Sequence, residues 1–268
     1  MYPVIILTGK AGSGKDTVAG MLAEAGGVCI AQADPLKRYG HDAFDFSPDQ
    51  LWGPSDMRNA VDDRPLVDPE FFDRARRRGL NNASDWLYDV GLPQAGNALL
   101  KWLDAEISYA RRDGLTPRHV LQTLGTEFGR TQRPDVWVAY AQRMARRILE
   151  ENLAYGRLVG TGPRDPGGRT QFVVITDGRF PNEILATKAA GGLAIKVTGP
   201  GATGLGGTAG KHASETEQDG IPDHWYDAVL WNDKSRGFEP LRRQVAYLAK
   251  AVVCRPPLMM VPDEAVSL

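Results

Sequence analysis

Apolar and polar positions change their period twice along the chain. Tyr2 to Thr8 is a short apolar run rich in β-branched residues, which predicts a buried strand. A glycine-rich turn follows, then a helical pattern from Lys15 to about Ala25 that Gly26-Gly27 stops. Val28 to Ala33 reads as a second strand. Asp34-Pro35 then opens a helix with proline in its first turn. From Leu36 to Thr170 no buried strand is predicted. Helical spacing prevails at Phe71–Arg78, Ala98–Arg111, Pro117–Phe128 and Val136–Tyr155. The alternation then returns: strand Phe172–Thr176, helix Pro181–Ala190, strand Leu193–Val197, strand Ala228–Trp231 and helix Glu239–Val253. The fold expected is α/β, three α/β/α layers around a mainly parallel sheet. Its core spans residues 1–35 and 171–254, interrupted by a helical insertion at 36–170. The glycine-rich stretch within 198–216 reads as a lid loop, and 255–268 as a frayed, proline-rich tail.

The strongest chemical signal lies between the first strand and the first helix. Gly9-Lys10-Ala11-Gly12-Ser13-Gly14-Lys15-Asp16-Thr17 matches G-x-x-x-x-G-K in the strand–turn–helix setting that this motif needs. Glycines let the backbone curl so that successive N–H groups point inward at phosphate oxygens, and the helix N-terminus faces the same anion. Residues 9 and 11–17 are thus the expected ATP-binding loop, which makes the expected fold a three-layer α/β/α P-loop NTPase, with Lys15 a point charge for the β- and γ-phosphates. Asp16 stands where Ser or Thr commonly ligates Mg²⁺. Either Asp16 holds the ion, directly or through water, or Thr17 takes that part.

A second signal ends the strand at 172–176. Asp177 follows a buried strand, as an acidic Mg²⁺ partner of a P-loop does, and Arg179 two residues later can bridge donor and acceptor phosphates. The bland alternatives are a turn-capping Asp and a surface ion pair. A third lies on the helix at 117–128, where Arg118, Gln122 and Glu127 fall near one face and can serve an acceptor, or simply face water. A fourth is Lys211-His212-Ala213-Ser214 before Glu217, either a capping box or a lid that meets phosphate on closure.

Composition narrows the field. With 268 residues, 42% hydrophobic and 24% charged, the chain can bury a core, and a net charge of −1 argues against a wholly basic nucleic-acid binder. Arginines do cluster at Arg74, Arg76, Arg77 and Arg78, which keeps DNA as a minor alternative partner. Two cysteines, no metal spacing around His41, His119 or His224, and no apolar run near the ~18 residues of a membrane span suggest a cytoplasmic protein without a membrane partner.

These segments together resemble the deoxynucleoside monophosphate kinases of tailed bacteriophages. The matching stretches are GKAGSGKDT at 9–17, ADPLK at 33–37, TPRHVLQTLGTEFGR at 116–130 with DVW at 135–137, TDGRFPNE at 176–183, HASE at 212–215, and Asn232 after the last strand. They occur in family order over about residues 4–250. The resemblance implies ATP as donor, Mg²⁺ as cofactor, small nucleotides as partners, and homodimers in some members. It implies that Asp34, Lys37, Arg118, Arg130 and Trp137 hold the acceptor, and that Asp177, Arg179 and Glu183 flank the phosphoryl in transit. Competing readings are a kinase of a modified base within phage DNA, another small-molecule P-loop kinase with Asp34 as base, and a nucleotide-gated binding protein.

Overall fold

A computed structural model of the chain describes residues 3–53, 55–152, 155, 170–202 and 220–254. β1 (Val4–Thr8), α1 (Lys15–Glu24) and β2 (Gly27–Ile30) come first. A helical stretch follows: α2 (Asp34–Phe44), α3 (Pro48–Trp52), α4 (Ser55–Asn59), α5 (Arg64–Val67), α6 (Phe71–Asn81), α7 (Ala83–Val90), α8 (Gly96–Asp113), α9 (Pro117–Thr123) and α10 (Val136–Glu151). β3 (Phe172–Gly178), α11 (Pro181–Ala189), β4 (Leu193–Thr198), β5 (Ala228–Trp231) and α12 (Glu239–Val253) complete the described chain. Among the described residues, no helix is long and apolar enough to cross a membrane.

The chain divides into two compact units, and the division falls within α10. The first holds β1 to β2, residues 145–152 and 155, and everything described from Thr170 on. Its five strands are all parallel, in the order β2-β3-β1-β4-β5. Alternation splits the strand residues between two faces. Ile5, Leu7, Phe172, Val174, Ile195, Val197 and Leu230 form one cluster with Val18 and Leu22 of α1 and Leu241, Val245 and Leu248 of α12. On the other face α11 packs against β1 and β4, burying Ile184. Each such side chain contributes about 1.5–3 kcal/mol when fully buried, which makes this sheet a rigid platform for its strand ends. Edge strand β5 is capped: Gln244 accepts from the Trp231 amide at 3.0 Å and donates to its carbonyl at 3.2 Å, occupying groups that would otherwise invite another strand.

The second unit holds residues 31–144, apart from residue 54. Its interior is aromatic. Tyr39 lies against Trp86 (ring centroids 4.7 Å apart) and Trp102 (6.1 Å), and Trp86 lies near Phe128 (6.0 Å) and Trp137 (6.4 Å). Polar tips are satisfied, as burial demands. Trp86 Nε1 donates to the Pro35 carbonyl at 2.8 Å, and the Tyr39 hydroxyl to that of Gly79 at 3.2 Å. Burial, reinforced by Asp42, pushes the Tyr39 phenol well above its ordinary range.

The long elements match the spacing in the sequence, but α3, α4, α5 and α7 carried no periodic signal. Three of them have five residues or fewer, too short for one apolar stripe to repeat. Their marks are local: Ser47 and Gln50 form a capping box around Pro48. The helix expected over Pro117–Phe128 is α-helical only to Thr123 and continues as a π-helix over Leu124–Arg130. Trp137 closes onto that segment. Its indole donates to the Gly125 carbonyl at 2.8 Å, and a Cβ on Gly129 would lie 2.2 Å from its ring.

Candidate active site

In the first unit the glycine-rich turn leaves β1 at the carboxyl edge of the sheet and delivers the chain to α1. Gly9, Gly12 and Gly14 adopt φ of 142°, 81° and 93°, which glycine takes without strain and other residues rarely do. At Gly14 the constraint is double, because a Cβ would lie 2.1 Å from Asn232 Nδ2. Gly14 caps α1, and its carbonyl accepts the Val18 amide at 3.0 Å. The first helical turn, Lys15 to Thr17, therefore presents the positive end of the helix. Lys15 Nζ bends back on the carbonyls of Gly9 and Lys10, the latter at 3.2 Å. Asp16 is exposed, and Ala11 and Thr17 are half-buried.

Strand pairing decides what lies beside this turn. Thr8 pairs with Gly178 of β3 on one side and Lys196 of β4 on the other. Asp177, next to Gly178, thus sits at the strand end neighbouring the one that feeds the glycine-rich turn. The glycine after it allows the approach: a Cβ on Gly178 would meet Ile6 Cγ1 at 2.6 Å and the Leu7 carbonyl at 3.0 Å. Arg179 is half-buried at the turn into α11. Its amide and that of Phe180 both donate to Glu183 Oε2, at 2.7 and 3.0 Å. Glu183 is 3% exposed, so that oxygen braces the Asp177–Arg179 turn from below. The resemblance implies that Glu183 flanks the phosphoryl in transit and helps bind the acceptor; what the structure shows of it is this brace.

Asn232 is among the residues that carry the resemblance, without an expected task of its own. It is 3% exposed at the end of β5, its amide donates to the Thr198 carbonyl at 2.8 Å, and its Nδ2 donates to the Ser13 carbonyl at 2.9 Å. It therefore fixes the middle of the phosphate loop from a strand 219 positions away in sequence. Thr8 Oγ1, Ser13 Oγ and Asn232 Oδ1 are buried here without a hydrogen-bond partner.

The second unit holds most residues expected to meet an acceptor. Asp34 is fully buried at the start of α2, and its carboxylate accepts from the Ala31 amide at 2.8 Å and from Trp52 Nε1 at 3.2 Å. Lys37, one turn on, carries its ammonium 5.5 Å from the Trp52 ring centre. Arg118 donates to Asn59 Oδ1. Gln122 and Arg130 are half-buried and Glu127 is exposed. The π-helix after Thr123 displaces Glu127 and Arg130 from the α-helical register that put Arg118, Gln122 and Glu127 on one face. Trp137 departs most from expectation. At 4% exposure, packed on Gly129 and bonded to Gly125, it is a core residue with no ring face open to a base. Trp52 and Asn59 were missed, and only the capping box before α3 marked their neighbourhood. Lys211 and His212, with the rest of the expected lid beyond Ala202, lie outside the described residues.

Below the same helices sits a buried carboxylate. Glu106 of α8 accepts from Thr123 Oγ1 at 2.8 Å and lies 3.4 Å from His119 Nε2. Burial raises its pKa above the usual carboxylate range; the Thr123 hydrogen bond and His119 pull against that, and Glu127 adds to it.

A parallel sheet with helices on both faces, a glycine-rich phosphate loop after its first strand and an acidic residue ending the adjacent strand define a three-layer α/β/α P-loop kinase fold. A protein of Acanthamoeba polyphaga mimivirus named "Putative deoxynucleotide monophosphate kinase" is 27% identical to this chain over 233 residues, covering 87% of the chain and 89% of that protein. No protein-family model matches the chain.

Proposed function

We propose that this chain is a nucleotide kinase that transfers the γ-phosphoryl group of ATP to a deoxynucleoside 5′-monophosphate, with Mg²⁺ as cofactor. The observation that carries this reading is the pairing of Thr8 with Gly178, which sets Asp177 beside the turn closed by Lys15. The name borne by the mimivirus relative supports the acceptor class. The resemblance to the tailed-phage kinases adds the role: deoxynucleotide supply for phage DNA synthesis, in the host cytoplasm.

In this reading the loop amides of residues 9–14 and the start of α1 bind the β- and γ-phosphates. The Lys15 ammonium leaves its carbonyl partners to meet them. The buried hydroxyls of Thr8 and Ser13 fit a loop whose polar partners come from outside. Asp16, Thr17 and Asp177 are oxygen donors suited to Mg²⁺, which keeps waters and substrate phosphates as its other ligands. Mg²⁺ supplies neutralisation of the phosphate charge. The bond from the γ-phosphorus to the β–γ bridging oxygen breaks, a bond to an acceptor phosphate oxygen forms, and ADP and the diphosphate leave. The acceptor phosphate has a second pKa of about 6, so it is already ionised and needs no base.

Two observations weigh against the alternatives. An alcohol kinase needs a base at the acceptor hydroxyl, and Asp34 is fully buried with both carboxylate oxygens bonded. A DNA-directed kinase would use a bare basic groove, whereas Arg74, Arg76 and Arg78 are paired with Asp68, Asp104 and Asp45. The test is an ATP-coupled assay against the common deoxynucleoside monophosphates, with Lys15→Ala as control. Wild type should form diphosphates, and the variant should lose at least about 10²–10³-fold in kcat with an unchanged melting temperature. Normal turnover by Lys15→Ala, or ATP hydrolysis with no phosphorylated small product, overturns the proposal.

A further inference from the structure

In the first unit, the chain that leaves β4 runs onto the phosphate loop. A Cβ on Gly12 would lie 2.2 Å from the Gly201 carbonyl oxygen, and a Cβ on Gly201 would meet the Gly12 carbonyl oxygen at 3.1 Å. The two residues therefore meet backbone on backbone. On the way, Gly199 crosses the end of β5, where a Cβ would lie 2.0 Å from the Asn232 carbonyl oxygen. Asn232 in turn holds the Ser13 carbonyl from its side chain, at 2.9 Å. The β4 exit, the end of β5 and the phosphate loop thus interlock at a closeness that side chains would forbid.

Residues 199–202 form a turn, closed by the Ala202 amide, which donates to the Gly199 carbonyl at 2.9 Å. Pro200 fixes one backbone angle inside it. Gly, Pro, Gly and Ala bring no large apolar side chain to bury, and Pro200 and Gly201 are exposed. The turn is seated on the loop by short backbone contacts, and an element of that kind opens locally at low cost.

The charge at this seat is the reverse of what an anion needs. A phosphate loop gathers positive groups, and here carbonyl oxygens, the negative ends of peptide dipoles, engage them. Gly201 sets its oxygen against Gly12, and Lys15 gives its ammonium to the carbonyls of Gly9 and Lys10. We propose that the turn at 199–202 is a built-in competitor of the donor nucleotide, and that its hold on Gly12 sets nucleotide affinity. The β- and γ-phosphates and the seated turn exclude one another at the loop. The apparent dissociation constant for nucleotide is then the intrinsic one divided by the fraction of molecules whose turn is lifted. This rests on the phosphate-loop part of the kinase reading above and adds the regulation of that site.

The experiment measures binding of ATP with Mg²⁺ to the full chain by calorimetry, without acceptor, so that the result does not depend on turnover. Pro200→Gly adds no atom at the loop and gives the lifted turn more freedom to lose on seating. It should tighten ATP binding about threefold or more. Gly201→Ala presses a methyl toward the Gly12 carbonyl and should act in the same direction. In the wild type, hydrogen exchange of the Ala202 amide gives a second reading. A four-residue turn lifted from its seat frays, so saturating ATP should speed that exchange about threefold or more. Thermal melting checks the fold of each variant, and Pro200→Gly with the wild-type exchange decides the matter if Gly201→Ala collapses. A wild type that binds no ATP overturns the phosphate-loop reading and this inference with it. A wild type that binds ATP while Pro200→Gly binds it no more tightly overturns this inference alone. Exchange at Ala202 that slows or stays unchanged on binding does the same, and makes the turn a fixed wall of the site.

Discussion

The strand ends of the first unit and the helices of the second hold their polar groups in opposite ways. In the first, the groups offered are backbone N–H groups, and side chains work behind them: Asn232 holds the Ser13 carbonyl and Glu183 holds the amides of Arg179 and Phe180. In the second, the groups offered are side chains on helices, held by other side chains, Trp52 on Asp34 and Asn59 on Arg118. A backbone site tolerates almost no added atom. A side-chain site is graded, because each contact can be lost alone. Mutations should therefore behave as near all-or-none in the phosphate loop of the first unit and as partial losses in the second.

The largest effect expected is from Gly14→Ala. The added methyl falls 2.1 Å from Asn232 Nδ2 at a φ of 93°, so the loop must move. Turnover should fall by about two orders of magnitude or more and stability by roughly 1–3 kcal/mol, read by kinetics and thermal melting. A variant with near-normal ATP KM would break the contrast between the units.

Asn232→Ala should come next. It leaves the buried Ser13 carbonyl without its donor, a loss of about 1–3 kcal/mol, and lets the loop relax. ATP KM should rise about tenfold with acceptor KM unchanged. A parallel rise in both would mean that Asn232 supports the fold at large and does not position the loop.

The smallest effect belongs to Glu106, beneath the second unit's site. Its folded pKa is raised, so the folded state binds the proton more tightly than the unfolded chain does. Its contribution to stability is fully present below the ordinary carboxylate pKa and is lost as pH climbs toward the raised value. Glu106→Gln should remove that slope and melt a few degrees higher at pH 7, the shift expected of ~1 kcal/mol. His119, Thr123 and Glu127 are the groups that face it. An unchanged pH profile would show that its partners already balance the charge.

Legibility in the sequence follows the same division. The glycines at 9, 12 and 14 could be read because a backbone requirement leaves one residue type at fixed spacing. Asp177 could be read because it ends a run of buried residues. Trp137 and Trp52 could not be told apart. One closes a core against Gly129 and the other lies half-open under Lys37, yet the spacing of apolar residues around an aromatic says only that it is partly covered. The expectation for Glu183 came from the resemblance alone; a carboxylate at the third position of a helix also suits a capping brace, and that brace is what it forms.

By itself, then, the chain determined its parallel α/β core, the position of the glycine-rich turn and the helical character of the long insert, since these depend on local period and backbone freedom. Only the tertiary structure decided which strands run beside β1, which side-chain amide reaches the loop from the end of β5, and which tryptophan is buried in the core. Those outcomes depend on contacts between residues tens to hundreds of positions apart, and no local window of sequence contains both partners.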